Sequence, residues 1–350
     1  MGLKQPKWLL NPEKRLERKN SFDASLVMGT ANFNRHTGRQ NTLAPPFGHF
    51  LDHDTGLLKG EYLTPRNCPV CASPPGQGLF VKDGFRHVRC PKCDLIYVSL
   101  ILREDLMLKY WREEEAWTNV LLTGPQVEMD RLKYAYGLEV AQSHFSGKRV
   151  LDIGAGTGHF VRLAGEKGFE PTAMELNKES AEKLKEEGIE VIVKSMELAD
   201  LESGSFDLVT LWEVLEHLTD PKVVLSEARR LLSPDGALLI LVPNSASLVT
   251  RLLHEKSRTF GGHSHLNHFN PMSLRTLLDD LHFEIVEFET VITELGAINN
   301  HLAFEDPYLG EANPFFEFLT PKMIHENLWG SRLLALAKVR NDRDASGKAS

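Results

Sequence analysis

From Arg149 onward, short apolar runs alternate with helix-patterned segments, and this alternation limits the fold more than any other feature of the 350-residue chain. VLDI, FEPTAMEL, IEVIV, FDLVTLW, ALLILVP, FEIVEFE and SRLLALAKV read as strands. Helices fill the gaps between them. One follows the glycines of VLDIGAGTG and closes at Gly168, and KESAEKLKEE closes at Gly188, both in the left-handed position that ends helices. Another opens at Asp220-Pro221, an N-cap followed by a residue with preset φ. EVLEHL reads as a further helix, SPDG as a turn, and PMSLRTLLDDL as a helix. Strand–helix alternation of this kind predicts an α/β fold, a doubly wound and mostly parallel sheet covered on both faces.

VLDIGAGTGHF, residues 150–160, raises the question of the ligand. Gly154, Gly156 and Gly158 form G-x-G-x-G, and His159 stands where a dinucleotide fingerprint places its third glycine. Asp152 ends the strand, where a pyrophosphate would be repelled and an ammonium group attracted. The helix N-terminus beyond still offers N–H groups to a carboxylate. Glu175, at the end of the next strand, holds the acidic position that accepts hydrogen bonds from ribose hydroxyls. An amino-acid end and a ribose together describe S-adenosylmethionine.

At these residues the chain resembles the class I S-adenosylmethionine-dependent methyltransferases. The resemblance runs from about Arg149 to Val339 through VLDIGAGTG, AMEL, SFDLVTLWEVLEHL and LLSPDGALLILVPN, in order. It implies a seven-stranded sheet with an antiparallel last strand. It also implies Asp152, Gly154, Gly156 and Gly158 around the methionine end, Glu175 on the ribose, Ser195-Met196 beside the adenine, and the Trp212 backbone near the methionine. Ser195 replaces an aspartate common in the family, so Ser195 or Glu197 would meet the adenine amine.

Upstream, NCPVC and RCPKC place Cys68, Cys71, Cys90 and Cys93 as C-x₂-C-x₁₈-C-x₂-C. Two such knuckles close a tetrahedron around Zn²⁺, with no position left for water, so a structural zinc ribbon is expected. Similar ribbons precede the methyltransferase domain in some bacterial sugar C-methyltransferases and some ribosomal RNA guanine methyltransferases.

EVLEH spaces Glu213, Glu216 and His217 at i, i+3 and i+4, one face of a helix directly after a strand that borders the cofactor. Three readings stand: a packed helix start with Glu213 lining the site, His217 as a general base, or a divalent site for Mg²⁺ or Mn²⁺. Similar E-x-x-E-H patterns hold a metal in some ubiquinone-pathway O-methyltransferases and small-RNA 2′-O-methyltransferases. GGHSHLNHF adds His263, His265 and His268 on a loop expected above the strand ends, where substrates bind in open α/β sheets. His217, Glu213 and His268 are the catalytic candidates.

The expected organisation is an irregular segment over 1–66, the ribbon over 67–98, a helical linker or lid over 99–147, and the methyltransferase domain over 148–340. An insertion at 290–330, rich in aromatics and prolines, is a candidate substrate lid, and 341–350 reads as a disordered tail. Net charge is −8, which disfavours a broad nucleic-acid surface although the first twenty residues are basic. No apolar run spans a membrane and no secretory h-region is visible, so a cytoplasmic protein is expected. The leading acceptor class is a small molecule, such as a nucleotide-linked sugar or polysaccharide unit. RNA methylation through the ribbon is the first rival, and a non-enzymatic module that senses the cofactor is the second.

Overall fold

A computed structural model describes residues 50–113, 124–196, 199–257, 259–294 and 318–340. Most of the expected N-terminal segment (1–49), the centre of the expected lid (295–317), Glu197 and the tail (341–350) lie outside the described residues.

The cysteine module comes first, with β1 (Leu63–Pro65), β2 (Gly78–Lys82), β3 (Phe85–Arg89), β4 (Ile96–Val98) and β5 (Leu100–Leu102). β1 pairs with β5, while β2, β3 and β4 form an antiparallel sheet. Two helices follow, α1 (Glu104–Glu113) and α2 (Gly124–Gln142), the second opening at Gly124-Pro125.

The larger unit then runs β6 (Arg149–Ile153), α3 (His159–Glu166), β7 (Glu170–Met174), α4 (Lys178–Glu186), β8 (Glu190–Ile192), β9 (Phe206–Trp212), α5 (Pro221–Leu231), β10 (Leu232–Pro243) and α6 (Leu248–Leu253). It closes with β11 (Asn267–His268), α7 (Pro271–Asp280), β12 (Phe283–Val291), α8 (Pro321–Glu326) and β13 (Arg332–Val339). Seven of these strands form one sheet, in the order β12-β13-β10-β9-β6-β7-β8. Neighbours from β10 to β8 are parallel, and β13 is antiparallel to both strands it touches. The expected α/β sheet, last strand included, is present.

Local chemistry starts the helices where the sequence suggests. The Asp220 side chain accepts the Lys222 and Val223 N–H groups ahead of α5, and Asn270 forms a reciprocal capping box with Ser273 ahead of α7. Alternate residues of the central strands then bury two apolar faces. Leu151, Val209, Leu211 and Ile240 meet α5 and α7 through Val224, Leu225, Leu274 and Leu277. Val150, Leu208, Leu239 and Leu241 meet α2 and α3 through Leu138, Ala141, Phe160 and Val161. Each such valine, leucine, isoleucine or phenylalanine contributes about 1.5–3 kcal/mol on burial. The first face continues without a break into Val70, Val88, Leu95 and Tyr97 of the cysteine module.

Three expectations need correction. EVLEHL is not a helix: residues 215–217 form a turn. Glu213 takes a left-handed φ of 56°, which an L-residue helix cannot propagate, and its N–H donates to Leu241 O in the sheet. SPDG does not separate a helix from a strand; it lies within β10 as a register shift between Leu232 and Ala237. His268 is not on a loop above the strand ends, because β11 pairs with β4 as the outer strand of the module's sheet.

Candidate active site

The carboxyl ends of β6, β7 and β9 meet at the glycine loop. Gly154, Gly156 and Gly158 all have positive φ. Their constraint is partly packing: a Cβ on Gly158 would lie 2.1 Å from Leu184 Cδ2, and one on Gly154 would lie 2.6 Å from Val214 Cγ2. Glu175 is tied to this loop, one carboxylate oxygen accepting Gly156 N–H at 2.6 Å and the other Asn177 N–H at 2.7 Å. Each oxygen keeps a second lone pair, the arrangement two ribose hydroxyls need. Burial raises the Glu175 pKa.

Asp152 is buried, and Thr210 Oγ1 donates to it at 2.6 Å. Burial pushes its carboxyl up to about 7, against the Thr210 bond. A buried acid with so little compensation suits a ligand ammonium. Beside it, Tyr134 of α2, Phe160 of α3 and Trp212 of β9 pack edge-to-face or tilted, with centroids 4.9–5.7 Å apart. Met196 is buried and Ser195 half-buried past the end of β8. The donor set fits an amino-acid end at Asp152 and a ribose at Glu175.

Glu213 follows β9 and is held by two cations. Lys133 Nζ lies 2.6 Å from Oε2 and Arg332 Nε lies 2.6 Å from Oε1. Against burial, Lys133 and Arg332 hold the Glu213 pKa far below the usual carboxylate range. Lys133 also pairs with buried Asp130 at 2.8 Å. Glu213 is therefore an ion-pair hub that fastens α2 and β13 to the end of β9.

Glu216 and His217 turn the other way, and His265 joins them. A carboxylate oxygen and one ring nitrogen from each histidine lie within 4.8 Å of one another. His217 Nδ1 contacts Ser264 O at 2.7 Å and His265 Nδ1 contacts Thr259 O at 3.0 Å. A carbonyl only accepts, so in both rings Nδ1 carries the proton and Nε2 the lone pair. Glu216 is 1% exposed, and neither carboxylate oxygen has a hydrogen-bond partner among the described residues. Burial, then the Glu213 charge, raises its pKa to about 8. Val214, which packs on Gly154, sets this cluster beside the glycine loop.

The three residues expected on one helix face thus divide, Glu213 into the ion pairs and Glu216 with His217 into the second cluster. His268 sits deeper, stacked on His87 of β3 at 5.0 Å and flanked by Phe260. Sequence reasoning missed Lys133 and Arg332. The available signals were a lysine on an otherwise packed helix and an arginine opening an apolar strand.

The four cysteines also converge. Cys68 Sγ lies 3.5 Å from Cys93 Sγ, and Cys71 Sγ lies 3.3 Å from Cys90 Sγ. Both knuckles have the same form: Ala72 and Asp94 are left-handed, and each donates its N–H to the carbonyl of the first cysteine of its pair. A tetrahedron of 2.3 Å metal–sulfur bonds has edges of about 3.8 Å, close to these separations.

Residues 128–288 match a family model described as a methyltransferase domain. The chain is 25% identical over 216 residues to the ubiquinone biosynthesis O-methyltransferase of Vibrio campbellii, covering 57% of this chain and 83% of the relative. It is 29% identical over 172 residues to the enzyme of the same name from Xanthomonas oryzae pv. oryzae, covering 44% and 70%. Among solved structures it is similar to the Burkholderia thailandensis 1,6-didemethyltoxoflavin-N1-methyltransferase with bound 1,6-didemethyltoxoflavin and S-adenosylhomocysteine. That similarity has 17% identity and a TM-score of 0.46, and covers 76% of this chain and 100% of that one. With a seven-stranded sheet of this order, acids at the ends of β6 and β7 and a family match across residues 128–288, the chain carries a methyltransferase domain with the class I, S-adenosylmethionine-dependent fold.

Proposed function

We propose that the enzyme methylates a hydroxyl oxygen of a small-molecule acceptor, with a sugar unit as the leading class, and that Glu216, His217 and His265 bind Mg²⁺ or Mn²⁺ beside it. The observation that carries this reading is the convergence of one unpartnered buried carboxylate and two oriented imidazoles next to the glycine loop. The net charge of −8 and relatives named as O-methyltransferases support it.

S-adenosylmethionine supplies a methyl group on a cationic sulfur, a good leaving group, so position governs the rate and a hydroxyl acceptor must also lose its proton. Asp152 binds the ammonium, Glu175 the ribose, and Tyr134, Phe160 and Trp212 form an apolar wall that excludes water. A divalent ion on Glu216, His217 and His265 would lower the pKa of a coordinated hydroxyl, whose proton would then pass to bulk water. Glu213, already neutralised by Lys133 and Arg332, positions rather than accepts the proton. Without an ion, His217 is the base within reach. The oxygen–methyl bond then forms as the sulfur–methyl bond breaks, and the electron pair stays on sulfur. Cys68, Cys71, Cys90 and Cys93 would hold Zn²⁺ as thiolates in a structural ribbon.

The test is incubation of purified protein with methyl-labelled cofactor and fractionated cell extract. Label is expected among small metabolites, lost on mild chelation with the ribbon zinc intact, and restored by Mn²⁺ or Mg²⁺. Label in RNA would overturn the acceptor class. Activity indifferent to chelator but lost in His217→Ala would replace the ion with a base.

A further inference from the structure

The cysteine module is not a detachable appendage, because its sheet is completed by β11 from the methyltransferase unit. One residue is at the centre of that junction. Arg66, two positions before Cys68, extends its half-buried guanidinium between three segments. Nε donates to Val98 O at 2.8 Å, Nη1 to Thr219 O at 3.1 Å, and Nη2 to Leu266 O at 2.7 Å and Asn267 Oδ1 at 2.9 Å. The guanidinium also lies over the Tyr97 ring, 5.6 Å from its centroid. All four oxygens are uncharged.

These contacts lead to the Glu216 turn. The Asn267 side chain, oriented by Arg66, donates to Leu215 O at 3.2 Å and Leu218 O at 2.8 Å. The Leu266 and Asn267 N–H groups both donate to Glu216 O, at 2.8 and 3.0 Å. Thr219, bound directly by Arg66, lies two residues past the same turn. Residues 215–217 have no helical ladder of their own, so these bonds set where the Glu216 carboxylate and the His217 ring stand. They also fix Leu266, the neighbour of His265.

We propose that Arg66 is a positioning residue which clamps the Glu216–His217 turn and the His265–His268 segment onto the cysteine module, making that module the back wall of the acceptor site. The inference rests on the reading of Glu216, His217 and His265 as a cation site. Only a planar fork meets four acceptors from three segments at once; a lysine ammonium cannot reproduce it. The module then acts by holding the site in shape rather than by binding nucleic acid.

The test uses the zinc-loaded full chain with Arg66→Lys and Arg66→Ala. Three readouts are needed: Mn²⁺ affinity from the resonance of the free ion, S-adenosylhomocysteine affinity by calorimetry, and amide exchange at Leu266 and Asn267. Both variants are expected to bind Mn²⁺ at least about tenfold more weakly. Their exchange at both amides should be faster, with S-adenosylhomocysteine affinity within about twofold of wild type, since the clamp does not touch the glycine loop. Wild-type Mn²⁺ affinity and exchange in Arg66→Ala would overturn the proposal. Should that variant fail to fold, Arg66→Lys, which keeps the charge, decides by the same measures. If wild-type protein takes no Mn²⁺, the cation reading falls and exchange alone judges the clamp: lost protection supports it and retained protection overturns it.

Discussion

Lys133 Nζ and Glu213 Oε2 stand 2.6 Å apart at the junction of α2 with the end of β9, and the lysine side chain is only 3% exposed. Both groups are charged at neutral pH, because Glu213 and Asp130 offset the burial that would otherwise depress the lysine. Removing one member of such a set strands the other. Lys133→Met is therefore expected to lower folding stability by about 3 kcal/mol, the low end for a broken buried pair because Arg332 still attends Glu213. Urea unfolding measures it, and a loss below about 1 kcal/mol would mean that solvent screens the pair.

Glu175 has two duties, anchoring Gly156 and meeting the ribose. Glu175→Ala should weaken cofactor binding by about 2–3 kcal/mol, since it removes charge-assisted bonds on both sides. Calorimetry with S-adenosylhomocysteine gives the number. The fold should persist, because neither Gly156 nor Asn177 lies inside a strand. Unchanged affinity would take Glu175 out of the site.

Asp152 links cofactor affinity to pH. Its raised pKa of about 7 in the free protein means that it is largely protonated in acid, whereas pairing with an ammonium requires the carboxylate. Binding below pH 7 must then release a proton, so affinity should fall by about tenfold per unit as pH drops further. Above the pKa of its own α-amino group the ligand loses its charge, and affinity should fall again. A calorimetric series from acid to alkaline pH should show this bell, and Asp152→Asn should flatten its acid limb. An acid limb that survives in Asp152→Asn would assign the effect to another group.

Cys90→Ser should remove one equivalent of zinc and loosen residues 67–98 while S-adenosylhomocysteine still binds. Because β11 belongs to the module's sheet, the loss is expected to spread to Asn267 and His268 as faster amide exchange. Zinc content and exchange mass spectrometry check both halves. A metal-free wild-type preparation with full protection would dismiss zinc as a structural element.

Among the described helices none is long and apolar enough to cross a membrane. The parallel sheet, the glycine loop and the cysteine knuckles were legible in the sequence because each is written in residues close together in the chain, whereas the antiparallel last strand was implied only by the family resemblance. Periodicity, caps and C-x₂-C spacing are local signals, and local signals survive without knowledge of the fold. EVLEHL shows where that limit lies. Its spacing matches a helix, yet the Glu213 N–H is taken by Leu241 of the neighbouring strand and the Glu216 carbonyl by Leu266 and Asn267. Backbone partners that lie far away in sequence outweighed a helix preference worth a few tenths of a kcal/mol per residue. The same holds for the side chains. Glu213 meets Lys133 from 80 positions upstream and Arg332 from 119 downstream, and His217 meets the Ser264 carbonyl 47 positions on. Sequence alone determined which chemistry the chain carries, cofactor acids and thiolates included. Only the tertiary structure decided that Glu213 is spent on ion pairs while Glu216, His217 and His265 converge, because burial and long-range pairing, not spacing, choose where a charged side chain points.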